Sequence, residues 1–249
     1  DIGSLEIFRG KLLGWEQLQR SEGQYLGGGT GSNTGVGARG LFGGGGDPAT
    51  GREKILYLTI STLGDTQEFG DLSSQKYATA GLGSRTRGVF AGGYNPSQVN
   101  TIEFVTFASL GNVTDFGDTT YTARDMGGLS SATRGLFFGG ISTGPAPSGT
   151  NTIDYITIAS EGNAVNFGDA HAAAEGMEGM ASSTRGLICG GQNPSGTNNS
   201  ISFVTISTTG DVTDFGDMQA ARHTFATGSN STRGMTVSYT HLTLPTILL

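Results

Sequence analysis

Residues 134–169 decide the fold: Arg134-Gly135-Leu136-Phe137-Phe138-Gly139-Gly140, a polar loop, Ile153-Asp154-Tyr155-Ile156-Thr157-Ile158, then Glu161-Gly162-Asn163 and Asn166-Phe167-Gly168-Asp169. The wording recurs along nearly the whole chain. Arg-Gly returns at Arg39, Arg87, Arg134, Arg185 and Arg233, and Phe-Gly-Asp at Phe69, Phe116, Phe167 and Phe215. Successive Arg residues are 48, 47, 51 and 48 apart, a period that marks a repeat architecture.

Each repeat reads as four short strands. The first falls between Phe-Gly-Asp and the next Arg-Gly. The second is Arg-Gly-Leu-Phe-Phe and its equivalents, ended by an adjacent glycine pair that permits positive φ or close backbone approach. The third is the most regular, at Ile55–Ile60, Ile102–Phe107, Ile153–Ile158 and Ile201–Ile206. Both of its alternating sets are largely apolar, which predicts cover on both faces. Gly64-Asp65, Gly111-Asn112, Gly162-Asn163 and Gly210-Asp211 then supply hairpin turns into a fourth strand ending at Phe-Gly-Asp. The fold class this predicts is all-β: a β-propeller of four-stranded antiparallel blades, present as an incomplete ring. The blades span 23–71, 72–118, 119–169 and 170–217, with a partial one at 218–236.

Spacing separates what the fold fixes from what it leaves free. From the Asp of Phe-Gly-Asp to the next Arg, and from the first Ile of the third strand to that Asp, the interval is 16 residues in every repeat. All variation in length falls in 46–54, 94–101, 141–152 and 192–200. Equivalent loops of a repeat array emerge on one face, so these segments predict a polar rim suited to binding. Their exposed amides and hydroxyls make Asn95, Ser97, Ser148, Asn151, Asn193, Ser195 and Asn198 the candidate ligand contacts, with a glycan or another protein as partner.

Composition agrees with this class and narrows the partners. Gly is 44 of 249 residues, and each internal Gly costs a helix about 1 kcal/mol, so the chain is one of turns and strands. A net charge of −7 opposes nucleic acid and anionic membrane as partners. No apolar run reaches the roughly 18 residues of a membrane-inserting span. Cys189, the single cysteine, excludes an internal disulfide. Residues 1–22, with the one tryptophan Trp15, match no part of the repeat, and the absence of an initial Met predicts that the natural N-terminus lies upstream. Residues 237–249 look like the in-frame translation of a sequencing adapter, which predicts that the natural protein continues differently after 236.

The adjacent pairs Gly44-Gly45, Gly92-Gly93, Gly139-Gly140 and Gly190-Gly191, with Tyr57, Phe104, Tyr155 and Phe203 as third-strand aromatics, resemble kelch-type propellers. The kelch tryptophan is absent; Phe69, Phe116, Phe167 and Phe215 stand in the fourth strand instead. The whole wording, over roughly 23–236, is also similar to Gly-rich propeller arrays of marine bacteriophage virion-associated proteins. That resemblance implies a virion or surface location and transfers no catalytic residue.

The repeated charges predict structure rather than chemistry. Arg39, Arg87, Arg134 and Arg185, and Asp71, Asp118, Asp169 and Asp217, recur once per blade, whereas catalysis needs one site. They are expected to satisfy strand ends or to pair, and if buried and paired each would cost on the order of 3–5 kcal/mol to remove. His171 and His223 take different offsets from Phe-Gly-Asp and read as surface or first-strand positions. The Gly35–Gly40 match to a dinucleotide-binding pattern fails, because a strand and a glycine pair follow it where a helix is required. No triad, metal or phosphate-loop spacing remains, so the expectation is a non-enzymatic recognition module without catalytic residues, metal or cofactor. A propeller enzyme, galactose-oxidase-like or glycan-active, and a purely architectural spacer are the alternatives. An enzyme would show unrepeated polar residues at one inward position, and the repeats themselves display no such break.

Overall fold

A computed structural model describes residues 5–8, 15–18, 31–32, 39–45, 52–60, 62–142, 149–229 and 233–237. The molecule is all-β, without a helix among these residues. Four sheets have four strands each, ordered as in the sequence and antiparallel throughout. Sheet 1 comprises Gly31–Ser32, Arg39–Gly43, Arg52–Thr59 and Gln67–Lys76. Sheet 2 comprises Ala80–Gly83, Arg87–Ala91, Thr101–Thr106 and Thr114–Asp118. Sheet 3 comprises Gly127–Ser130, Arg134–Phe138, Thr150–Thr157 and Val165–Ala174. Sheet 4 comprises Glu178–Ala181, Arg185–Cys189, Ser200–Thr205 and Thr213–Asp217.

A fifth unit has two strands, Ala226–Ser229 and Gly234–Val237. Leu5–Phe8 pairs with Trp15–Leu18 as a separate hairpin in the non-repeating segment. Of the adapter-like stretch, only Val237 lies among the described residues, closing the last strand.

The sheets stack on one another, and each core cluster straddles two of them. Leu41, Ile55 and Phe69 of sheet 1 meet Phe90, Val105 and Phe107 at sheet 2. Leu129, Leu136 and Phe167 of sheet 3 meet Ile188, Val204 and Ile206 at sheet 4. The third strand is buried on both faces, as its composition requires: Ile102, Glu103, Phe104 and Val105 are all buried in sheet 2. First strands of neighbouring sheets are stitched by hydroxyls, with Ser130 Oγ donating to Gly83 O at 2.7 Å and Thr227 Oγ1 to Gly179 O at 2.7 Å.

Each repeated arginine lies over the third-strand aromatic of its own sheet. Arg87 is 4.2 Å from the Phe104 centroid, Arg134 4.3 Å from Tyr155 and Arg185 4.6 Å from Phe203. The guanidinium then reaches across to the following sheet, Arg87 Nη1 to Ile158 O at 3.1 Å and Arg134 Nη1 to Ile206 O at 2.9 Å; Arg39 meets Phe107 O in the same way. None of these arginines pairs with a repeated aspartate. Asp169 and Asp217 are exposed, and the joint uses the main chain instead: Asp118 N–H donates to Asn163 Oδ1 at 3.0 Å and Asp169 N–H to Asp211 Oδ1 at 2.9 Å.

Candidate binding surface

The glycine pairs do more than end the second strand. In each sheet the second glycine donates its N–H to a carbonyl five residues beyond the repeated Asp: Gly45 to Lys76, Gly93 to Ala123, Gly140 to Ala174 and Gly191 to Arg222, at 2.9–3.1 Å. A side chain could not be accommodated at Gly93, Gly140 or Gly191, and at Gly45 the backbone alone, at φ 98°, favours glycine. A Cβ on Gly140, at φ 92°, would lie 2.6 Å from Arg124 O, so the position demands glycine.

That contact fixes the residue one step further on, which is Tyr77, Arg124, Glu175 or His223 in successive repeats. The next residue takes a left-handed backbone at Ala78, Asp125, Gly176 and Thr224, with φ of 57°, 56°, 60° and 48°. These four are joined in series by their main chains: Asp125 N–H to Ala78 O at 3.0 Å, Gly176 N–H to Asp125 O at 3.1 Å and Thr224 N–H to Gly176 O at 2.9 Å. One backbone position thus presents a phenol, a guanidinium, a carboxylate and an imidazole side by side. This varying position was not singled out in the sequence. The signal was a constant offset of six residues from the repeated Asp, hidden because the side chain changes each time.

The best-formed part of this surface lies at the 94–101 loop. Tyr77 and Tyr94 pair through their main chains, and their rings are 5.3 Å apart. Arg124 lies 5.8 Å from the Tyr94 centroid and 3.0 Å from Asp125 Oδ2. Its Nε is buried without an acceptor among the described residues. Burial pushes the Asp125 carboxyl above its usual range, against the pull of Arg124. Two adjoining phenol rings, tilted by 38°, beside a guanidinium and a carboxylate suit a hydroxyl-rich ligand, whose C–H faces pack on rings and whose hydroxyls take directed hydrogen bonds.

The loop candidates fall around this surface unevenly. Asn95, Ser97 and Ser195 are exposed, while Asn151, Asn193 and Asn198 are half-buried. Asn193 and Asn198 already use their Oδ1 atoms on Ser195 N–H at 2.9 Å and Ser200 N–H at 2.7 Å, which leaves their NH2 groups for a ligand. Ser148 and most of the 46–54 loop lie outside the described residues.

A second varying position lies between sheets rather than on the rim. The residue after the first Ile of the third strand is Glu103, Asp154 or Ser202 in sheets 2 to 4, buried each time. It meets the fourth-strand extension of the preceding sheet. Glu103 takes Ser73 Oγ and pairs with Lys76 Nζ at 2.9 Å; Asp154 takes Thr120 N–H at 2.7 Å and Thr120 Oγ1 at 2.8 Å; Ser202 Oγ is 3.0 Å from His171 Nδ1. Burial raises the Asp154 carboxyl and lowers the His171 imidazole, each opposed by its polar neighbours. His171 is therefore an inter-sheet residue, neither surface nor first-strand, and it borders a cavity of about 290 Å³ with Asp169, Asp211 and Asp214.

Among the described residues no group of three or more His, Cys, Asp or Glu is arranged to hold a metal ion. No protein-family model matches the chain, and no curated protein matches it.

Proposed function

We propose that the stacked sheets are blades of a β-propeller of the virion- or surface-associated kind, and that the protein is a recognition module for a glycan or protein ligand. Four observations support the propeller: the strand order within each sheet, the constant pairing of neighbours, the stitched first strands and the serial left-handed residues. Recognition rests on one observation above the others. A single fixed backbone position carries Tyr77, Arg124, Glu175 and His223, and beside it lie the loops that alone vary in length. A fold that holds a backbone constant while changing the side chains it carries, three half-buried and one exposed, presents a surface for selective contact. The rings and guanidinium at Tyr77, Tyr94 and Arg124 favour a glycan.

The test is binding to a glycan array and to host cells by the unaltered chain, by a loop exchange placing 94–101 at 141–152, and by Tyr94→Ala with Arg124→Ala. Both alterations are expected to abolish or redirect binding with sheets 2 and 3 still folded. Binding that survives exchange of all four loops together with the paired substitution overturns the reading.

A further inference from the structure

Each sheet receives the next through the same joint. Into the face of sheet 3, the turn at Gly210-Asp211 of sheet 4 inserts with Gly210 N–H on Phe167 O at 2.7 Å and Val212 N–H on Asp169 O at 3.0 Å. Asp211 Oδ1 takes Asp169 N–H, and Ile206 O takes Arg134 Nη1. Phe167 is then only 2% exposed. Residues 162–164 seat on sheet 2 in the same way, and 111–113 on sheet 1.

Sheet 4 offers the same seat, and none of the described residues sits in it. Phe215 is 52% exposed. A Cβ placed on Gly216 would meet nothing within 4 Å, whereas on Gly168 it would lie 2.4 Å from the Gly210 carbonyl. The Arg185 guanidinium has Phe203 beneath it and no carbonyl beyond it among the described residues. Alongside, Gly234–Val237 pairs with Ala226–Ser229 on one edge and with no described strand on the other, and Met235 is 69% exposed. A cleft of about 330 Å³ lies between, lined by Met180, Arg185, Leu187, Phe215, Arg233 and Gly234.

We infer that this cleft is an acceptor site for a β-hairpin of the chain's own repeat type. The occupant is an extended strand of the form Ile-x-Phe-Val-Thr-Ile, a Gly-Asn or Gly-Asp turn, and a strand ending in Phe-Gly-Asp. It adds to the open edge of Gly234–Val237 through main-chain hydrogen bonds. It also covers Met235 and Phe215, lays its turn carbonyl against Gly216 and gives Arg185 a carbonyl. A whole sheet from a second copy does not fit, because its two inner strands would need the place that 226–229 and 234–237 already hold. The inference rests on the three internal joints and is independent of the ligand taken by the loops.

A labelled peptide spanning residues 198–218, added to the 249-residue chain, tests it by fluorescence anisotropy and hydrogen exchange. Saturable one-to-one binding is expected, with slowed exchange at 215–217 and 234–237, and none with a scrambled peptide. Gly216→Ala puts a methyl where the turn carbonyl must sit and is expected to abolish binding. Arg185→Ala, which leaves the backbone of sheet 4 unaltered, is expected to weaken it about tenfold through the lost charged hydrogen bond. Absence of saturable binding, equal binding of the scrambled peptide, or full affinity in the Arg185→Ala chain overturns the inference.

Discussion

Arg134 is held at two points, above the Tyr155 ring at 4.3 Å and against Ile206 O of the next sheet at 2.9 Å. Replacing it with Ala removes a cation–π contact and leaves that carbonyl without its donor, so a loss of about 2–3 kcal/mol is expected in urea denaturation. Asp169→Ala is expected to stay within about 0.5 kcal/mol, because its side chain is exposed and only its main-chain N–H and carbonyl enter the joint. An equal, large loss for both would show that the carboxylate is engaged after all. The sequence made these two residues look alike, since both recur once per repeat. Recurrence identifies a position that matters and does not say whether side chain or main chain matters there. Nothing in the structure accounts for the carboxylates at Asp118, Asp169 and Asp217; among the described residues Asp71 alone of the four pairs, with Lys54 Nζ at 2.9 Å.

The unit that joins sheets is a turn rather than a strand. Gly168 and Gly216 share the same motif and similar backbones, with φ of 152° and 135°, but only Gly168 has a turn packed on it. Alanine at either site incurs backbone strain of about 1–3 kcal/mol. Gly168→Ala is expected to be the more destabilising by a clear margin, since its methyl also displaces the Gly210 carbonyl, and thermal melts of the two variants isolate that difference. Equal losses would mean that strain alone explains the glycine. The strands and their turns were legible because each has a periodicity or a turn residue that physics requires. The position of Tyr77, Arg124, Glu175 and His223 was not, because its constancy is in the backbone while pattern reading follows side chains. Glu103, Asp154 and Ser202 were hidden for another reason: cover on both faces was legible, but their polar partners come from the preceding sheet, which no pattern within one strand records.

Across the molecule, stability in such an array is the sum of each sheet's own contribution and its contacts with neighbours. Sheets 2 and 3 have a neighbour on both faces. Sheet 1 leaves Phe42 54% exposed, where its equivalents Phe90 and Phe137 are 7% and 0% exposed. Hydrogen exchange is therefore expected to be slowest in Thr101–Thr106, Arg134–Phe138 and Thr150–Thr157, and fastest in Arg39–Gly43 and Gly234–Val237. A single uniform rate across all the sheets would show that the array opens as one unit.

The serial links from Ala78 to Asp125, Gly176 and Thr224 use only peptide N–H and carbonyl groups. They form a pegboard: the holes are main chain, and the pegs at 77, 124, 175 and 223 are exchangeable without disturbing it. A library randomised at those four places alone should yield mostly folded members, and new specificities would then be reached by changing pegs one at a time.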